Sequence, residues 1–252
     1  IIFSMESNKL TGRVPSYFGQ NSQLTMLRLS SNCFTGSIPS SLGVLSNLRS
    51  LYLFSNKLTG SLPSSIGCLI SLTDLKLYSN SLTGSIPSSI RFLTNLQYID
   101  MSSNKLAGSL PSGVGEMSSL ISLTVNSNSL TGSLPSSVGS LTKLTGLYIA
   151  GNRLSGSIPS SLGQMSSLLG LQLQSNSLVG SLPSSLGSLT QLQSLYIQRN
   201  CLTGVIPDSL GSMKSLLFLN LNSNSILGSI PSQIGKLGSL LNLQVAVTCL
   251  CG

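Results

Sequence analysis

Residues 48–69 read LRSLYLFSNKLTGSLPSSIGCL, and this pattern recurs along the chain with a period of 24 residues. An Asn recurs from Asn8 to Asn224, a Gly from Gly12 to Gly228 and a Pro from Pro15 to Pro231. Each recurs ten times without a gap, and these ten prolines are all the prolines in the chain. A strict period of this length is typical of a solenoid, in which each repeat forms one turn. Function must therefore be sought in columns of equivalent residues rather than in isolated motifs.

Each stretch of the repeat predicts a different part of the turn. Leu51 and Leu53 show the period-2 pattern of a short strand, and stacked turns pair such strands into a parallel sheet on the concave side. A buried Asn56 can bond backbone groups of its own and the adjacent turn, so we expect the Asn column to form a ladder. Pro63 closes a second short extended stretch, and Ile66 fills the core from the convex side. The sequence thus predicts an α/β repeat solenoid.

The repeat resembles the plant-type subclass of the leucine-rich repeat family, whose pattern is LxxLxLxxNxLxGxIPxxLGxL, from about Phe3 to Val245. The Gly of the LG pair is present in nine of ten turns, and Arg91 replaces it in the other. The resemblance implies a right-handed superhelix with a second short sheet and with short 3-10 helices or loops on the convex side. Such repeats form receptor-like ectodomains, polygalacturonase inhibitors and microbial surface proteins. Most of these bind a peptide, a protein or a glycan.

Residues 1–252 are expected to form a single solenoid without convincing caps at its ends. The sequence starts inside a repeat at Ile1, and the Asn column fails at Thr248. Because solenoids need polar terminal caps, we expect a segment of a longer protein, with apolar area exposed at Leu243 and Val245. The sequence itself shows no signal peptide and no apolar run long enough to span a membrane.

The five cysteines show no zinc-binding spacing. Cys33 and Cys201 hold the same repeat position seven turns apart, which is roughly 34 Å at about 4.8 Å per strand and too far for a disulfide. Together with Cys68 they are interpreted as small buried or edge thiols. Cys249 and Cys251 resemble the paired-Cys end cap of secreted solenoids, and we expect them to bond cysteines outside this segment.

The composition argues against catalysis and nucleic-acid binding. The sequence has no His and only five scattered acidic residues, so we expect no catalytic residue, no cofactor and no metal. The net charge of +8 is spread along the chain, whereas nucleic-acid-binding proteins cluster their cations. Asp74 and Asp100 fall in nearby turns and are interpreted as part of a surface charge network with Lys76. A charged fraction of only 7% favours an extracellular or cell-surface setting.

Aromatic residues concentrate on the expected concave face. Residues flanking the core Leu pair point away from the core, and Tyr17 is the only tyrosine off this face. Phe54 and Tyr78 are placed to stack across adjacent strands, and Tyr52 is placed between two cations. Exposed aromatic residues gathered on one face indicate binding, although Tyr is also a favourable residue on any exposed strand. The predicted ligand site, called the aromatic patch below, consists of Arg28, Tyr52, Phe54, Asp74, Lys76, Tyr78, Tyr98 and Asp100.

Further along the same face the residues become polar and better suited to hydrogen bonding. These residues are Gln172, Gln174, Gln198, Arg199, Asn220 and Asn222. If the aromatic patch is not the ligand site, this polar half is the next candidate.

Two further columns offer other surfaces. The basic row, which follows the Asn of every second repeat, places cations about 10 Å apart. It is a candidate polyanion site, with simple solubility as the alternative. Stacked Ser and Thr columns resemble an ice-binding array, with solvated loop residues as the alternative. The basic row consists of Lys9, Lys57, Lys105 and Arg153, and one hydroxyl column begins Thr11, Thr35, Thr59 and Thr83.

These features predict a non-catalytic extracellular recognition module that binds a peptide, a protein or a glycan on its concave face. The alternatives are a secreted enzyme inhibitor, a structural surface adhesin and an ice-binding protein.

Overall fold

A computed structural model describes residues 1–246, which form one parallel sheet of eleven strands. Each strand is three residues long, and each pairs with the strand one repeat away, so that Leu27, Leu51 and Leu75 are direct neighbours. The solenoid predicted from the period is therefore confirmed. The strands are Ile2–Ser4, Met26–Arg28, Ser50–Tyr52, Asp74–Lys76, Tyr98–Asp100, Ser122–Thr124, Gly146–Tyr148, Gly170–Gln172, Ser194–Tyr196, Phe218–Asn220 and Asn242–Gln244.

The second extended stretch also pairs between turns, as the family resemblance implies. It forms three separate two-stranded parallel sheets rather than one continuous sheet. Between them the same contact continues as isolated bridges and backbone bonds, such as Thr83 N to Gly60 O at 2.8 Å. The pairs are Thr35–Gly36 with Lys57–Leu58, Ala107–Gly108 with Ser129–Leu130, and Val179–Ser181 with Cys201–Thr203.

A 3-10 helix of five residues closes each turn on the side opposite the main sheet. The Pro of each repeat precedes it in an extended conformation, as at Pro63 with φ −68° and ψ 142°. The fixed φ of Pro suits this position, and its missing N–H removes a donor that a helix start would leave unpaired. The helices are Ser16–Gln20, Ser40–Val44, Ser64–Cys68, Ser88–Phe92, Ser112–Glu116, Ser136–Ser140, Ser160–Gln164, Ser184–Ser188, Asp208–Ser212 and Ser232–Lys236.

The core is a stack of nearly identical apolar layers between the main sheet and the helices. In one layer Leu51, Leu53, Leu58, Ile66 and Leu69 are all at most 1% exposed. Every turn contributes such a set to a single continuous core. Because each layer buries its apolar area only against its neighbours, the fold is stabilised layer by layer along its axis.

The Asn column forms the predicted ladder. The Asn56 amide donates to Leu53 O at 3.1 Å in its own turn and to Leu29 O at 3.0 Å in the preceding turn. Its Oδ1 accepts a bond from Phe34 N at 3.0 Å. One side chain thus satisfies three backbone groups that the bend of the chain leaves without strand partners.

The residue before each Asn adopts the left-handed conformation, which the sequence did not indicate. Ser55 has φ 52°, and equivalent serines have similar values, with Gly151 and Arg199 taking the same position in two turns. This conformation costs a non-glycine residue roughly 1–2 kcal/mol. The Ser55 amide nevertheless bonds Tyr78 O at 2.9 Å, so the inter-turn ladder continues through the bend.

Arg91 interrupts the helix column and is accommodated by a change in the next turn. In the regular turns the helix Gly lies against a Ser of the next turn, and a Cβ on Gly67 would come within 2.3 Å of Ser89 O. Arg91 has a side chain at that position, and the facing residue is Gly113 instead of Ser. A Cβ on Gly113 would lie 2.9 Å from the Arg91 Cβ. The glycine of this contact is therefore in the later turn, whereas in the regular contacts it is in the earlier turn.

This exchange predicts a non-additive pair of substitutions. Gly113→Ser is expected to lower the free energy of unfolding by about 1–3 kcal/mol, because the new Cβ overpacks against Arg91. Arg91→Gly/Gly113→Ser recreates the regular Gly67–Ser89 arrangement and is expected to regain most of that loss. Urea unfolding of the parent, Gly113→Ser, Arg91→Gly and the double variant measures the coupling, with Ser112→Ala as a control for mutation in the same helix. Equal losses in the single and double variants would contradict the steric explanation.

The ends of the described chain and its cysteines depart partly from expectation. Leu243 is 37% exposed, as predicted, whereas Val245 is half-buried against the core.

Cys33 and Cys68 are free thiols, but Cys201 forms a disulfide, so its interpretation as a free thiol is wrong. The predicted pairing of Cys249 and Cys251 lies outside the described residues. No helix within residues 1–246 is long and apolar enough to cross a membrane.

Candidate functional site

The concave face is the face of the main sheet that points away from the core. In the nine inner strands, from Met26–Arg28 to Phe218–Asn220, the middle residue is buried and its two neighbours lie on the opposite face, as Asp74 and Lys76 do beside Leu75. The one-repeat register aligns Arg28, Tyr52, Lys76 and Asp100 in one column. The eight residues of the aromatic patch are therefore brought together on adjacent turns, as predicted.

Tyr52 lies between two cations. The Arg28 guanidinium carbon is 5.1 Å and the Lys76 ammonium is 4.9 Å from the centre of its ring. Both distances fall within cation–π range, which contributes about 0.5–1 kcal/mol at an exposed site. Arg28 Nε is buried without a hydrogen-bond partner. The predicted arrangement around Tyr52 is confirmed, and it fixes the two charged side chains against the sheet.

Phe54 and Tyr78 stack as predicted. Their ring centres are 4.4 Å apart and their planes differ by 9°. Tyr52 contacts the other side of Phe54, with ring centres 6.3 Å apart. Three aromatic rings and two cations thus form one continuous surface, in which each ring contacts a neighbouring ring. Tyr98, at 40% exposed, borders this surface.

The two carboxylates of the patch do not form the expected charge network. Asp74 accepts a bond from Thr73 Oγ1 at 2.7 Å, and Asp100 accepts bonds from the backbone and hydroxyl of Ser102 at 2.9 and 2.6 Å. Within residues 1–246 the only ion pair joins Arg91 and Glu116, with 3.8 Å between Nη1 and Oε1. Local hydroxyl donors satisfy the carboxylates, and Lys76 remains on the Tyr52 ring.

The environment of Tyr78 raises the pKa of its phenol above the ordinary value of 10.0. Burial is the largest cause, and the negative charges of Asp100 and Glu6 add to it. The phenol is therefore a neutral donor at physiological pH. Because the folded state holds this proton more tightly, its contribution to stability falls as pH rises above 10.0.

We expect Asp100→Asn to lower the pKa of Tyr78, because it removes one of the two negative charges. The value should stay above 10.0, since the larger effect of burial persists. Ring-carbon NMR during a pH titration measures this value, with Tyr78→Phe used to assign the signal. Asp74→Asn is the matched control, since it removes a carboxylate that does not act on Tyr78. An unchanged pKa in Asp100→Asn would show that the charge does not reach the phenol.

In the middle of the concave face a tyrosine ring lies against the sheet, which the repeat pattern did not predict. Tyr148 lies flat on the sheet, over the backbone of two glycines on adjacent strands. A Cβ on Gly146 would come within 2.6 Å of this ring, and one on Gly170 within 2.8 Å of its hydroxyl. The glycines thus provide the space in which the ring lies.

Beyond Tyr148 the predicted polar half forms a concave basin of about 460 Å³. An adjoining hollow of about 230 Å³ adds two aromatic residues, Tyr196 and Phe218, that sequence reasoning did not combine with the polar half. The polar basin is lined by Gln174, Ser175, Gln198, Arg199, Asn220, Asn222, Ser223 and Gln244. Gln172, which was also predicted to belong to the polar half, is the last residue of the strand Gly170–Gln172 and does not line the basin.

The basic row lies off the concave face, on the lateral face formed by the second extended stretch between the main sheet and the 3-10 helices. Its four residues are all exposed. The Thr residues of the hydroxyl column are also exposed there, but Ala107, Val179 and Leu227 interrupt the column. Among the described residues no group of three or more acidic or cysteine side chains is placed to hold a metal ion.

Solved structures similar to this chain include plant receptors. The plant peptide hormone receptor RGFR1, in complex with RGF2, has a TM-score of 0.97 and 39% identity over 98% of this chain and 40% of that one. The Arabidopsis receptor kinase HAESA ectodomain, in complex with an IDA peptide hormone, has a TM-score of 0.86 and 32% identity over 98% and 46%. This chain therefore spans less than half the length of either receptor chain.

A plant ice-binding protein is also similar, with a TM-score of 0.77 and 27% identity over 90% of this chain and 74% of that one. No curated protein sequence is significantly similar to the chain.

Family models cover most of the sequence. A leucine-rich repeat region matches residues 88–201, and a leucine-rich repeat model matches residues 3–58. Single leucine-rich repeats match residues 71–93, 191–213 and 215–237. Together with the eleven-stranded solenoid and its structural neighbours, these matches show that the chain belongs to the leucine-rich repeat family, in the plant-type subclass indicated by its 24-residue pattern.

Proposed function

We propose that this chain is a non-catalytic extracellular recognition module that binds a peptide through the aromatic patch. The observation that carries the proposal is the continuous surface of Tyr52, Phe54 and Tyr78, with the Arg28 and Lys76 cations placed over the Tyr52 ring. Aromatic residues held in place lose little entropy on binding and dominate the energetics of interfaces. The peptide complexes of RGFR1 and HAESA support this class of ligand.

The patch suits an extended peptide in both size and chemistry. Four adjacent strands span about 15 Å, the length of a few extended residues. The ring surface offers apolar contact, while the Asp74 and Asp100 carboxylates and the Arg28 and Lys76 cations set orientation. Complementary charges on a ligand would fix its direction and register.

Removing two rings tests the site. The ligands are the peptides that the parent captures from an array of short linear peptides. We expect Tyr52→Ala/Tyr78→Ala to bind these peptides at least about 2 kcal/mol less tightly than the parent, which is roughly thirtyfold. Fold stability should change little, because both rings lie on the surface of the sheet. Tyr17→Ala is the matched control, since Tyr17 is 61% exposed but lies off the concave face. Equal binding by the double variant and the parent would rule out the patch.

The basic row supports a second proposal, that the chain contacts an acidic polysaccharide through its lateral face. Lys9, Lys57, Lys105 and Arg153 are exposed, and no acidic residue occupies the same column. Even spacing along a straight array would match the regular charges of a linear polymer. Attraction of this kind is screened by salt, with a Debye length of about 10 Å at 0.1 M.

We expect Lys57→Gln/Lys105→Gln/Arg153→Gln to elute from immobilised polygalacturonate at clearly lower salt than the parent, because three regularly spaced contacts are lost. Lys143→Gln/Lys214→Gln/Lys236→Gln is the matched control, since it removes three exposed cations on or beside the 3-10 helices. Equal shifts in the two triple variants would mean that net charge alone causes retention and that the row is not a site.

Ice binding is less well supported by the surface. The hydroxyl column is interrupted at three turns, and residues two apart in an extended stretch share a face, so Lys57 lies beside Thr59. A charged side chain at alternate turns breaks the uniform array that such a surface would need.

A further inference from the structure

The polar basin and its adjoining hollow contain a partly completed set of hydrogen bonds. On one side, Asn220 and Asn222 both donate to Gln244 Oε1, at 2.6 and 3.1 Å. The Asn222 Oδ1 accepts a bond from Ala246 N at 2.6 Å. These bonds fix three amide side chains in place and form a rigid wall.

The opposite side of the basin is not satisfied. Gln174 Oε1 and Gln198 Oε1 are both buried, and neither has a hydrogen-bond partner among residues 1–246. Leaving a buried acceptor unpaired is destabilising, because the desolvation of the group is not compensated. The outer amide torsion of Gln is broad, so each group can turn toward a donor in the basin at low cost. These two side chains are therefore poised to gain bonds from a bound molecule.

The adjoining hollow supplies the apolar component. Tyr196 and Phe218 line it together with Asn220, Asn242 and Gln244. Asn220 and Gln244 line both hollows, so one molecule lying across them would meet aromatic rings and amides at once. The only charged side chain among these lining residues is Arg199.

We propose that this region is a binding site for a neutral sugar, which goes beyond the peptide binding proposed above. A sugar hydroxyl is both donor and acceptor, so it can satisfy an amide in either orientation. Neighbouring hydroxyls match the paired donor and acceptor of a Gln or Asn amide. The C–H face of a sugar ring packs on an aromatic ring such as Tyr196 or Phe218. A nearly uncharged lining suits a neutral ligand better than an acidic one.

An extended peptide fits the Gln174 and Gln198 acceptors less well. Gln174 and Gln198 occupy the same position on adjacent turns and are therefore about 4.8 Å apart at the backbone. Backbone N–H groups that point to one side of an extended peptide recur every second residue, about 6.8 Å apart. Hydroxyls on one sugar ring are closer together and more numerous, so they can reach both amides.

The test uses the full chain and neutral tetrasaccharides of glucose, xylose, mannose and galactose, observed by saturation-transfer NMR and titration calorimetry. We expect at least one of them to bind the parent, and Gln174→Leu/Gln198→Leu to weaken it more than tenfold. Leu keeps the side-chain volume, so the basin retains its shape while losing both amides.

Two controls separate this site from other effects. Gln20→Leu/Gln164→Leu makes the same change at exposed glutamines on the 3-10 helices and should bind sugar like the parent. Tyr52→Ala/Tyr78→Ala should also keep sugar binding, whatever becomes of its peptide binding. The proposal is overturned if none of the four saccharides binds or if the basin variant binds them undiminished. It is equally overturned if that variant loses only array peptides, since the basin would then be part of a peptide site.

Discussion

The side-chain amide of the repeated Asn is the constraint on which the rest of this structure depends. Each repeat must bend inward after its strand, and the bend leaves backbone groups without strand partners. Asn80 bonds Leu77 O in its own turn and Leu53 O in the preceding one, and accepts a bond from Leu58 N. Since the same amide closes one turn and holds the next, its position fixes both the shape of a turn and the distance between turns. The Asn8 amide, in the first repeat described, bonds Met5 O and Glu6 O of its own turn and is exposed.

With the interior fixed in this way, the turns differ mainly in their exposed columns. The column two residues before the Asn shows this clearly, because it holds the stacked pair Phe54 and Tyr78 near one end and the amides of Gln174 and Gln198 near the other. One scaffold position thus supplies apolar contact in some turns and hydrogen bonding in others. The basic row uses another column on a different side. Recognition chemistry can change from turn to turn while the core stays constant.

The features predicted correctly are those that depend only on register. Once one repeat is known to equal one turn, the Phe54–Tyr78 stack and the cations on Tyr52 follow from counting residues. The features that were predicted wrongly or missed depend on local interactions that the register does not determine. Ser102 lies two residues from Asp100 and satisfies it more easily than Lys76 on the neighbouring strand. The left-handed Ser55 carries no sequence signal, because Ser is not a residue that favours that conformation. The Gly146–Tyr148 contact requires knowing that the ring lies flat.

The Arg91–Gly113 contact has a consequence for how such a chain can change by recombination. Most turns of this solenoid present the same Gly to the next turn and the same Ser to the previous one, so a unit copied or deleted among them still finds a compatible neighbour. The boundary after Arg91 is different, because a unit carrying Ser in place of Gly113 would collide with the arginine. Gene rearrangements that separate these two units would be selected against. The pair is therefore expected to be inherited as one block, while the regular units around it are free to multiply or be lost.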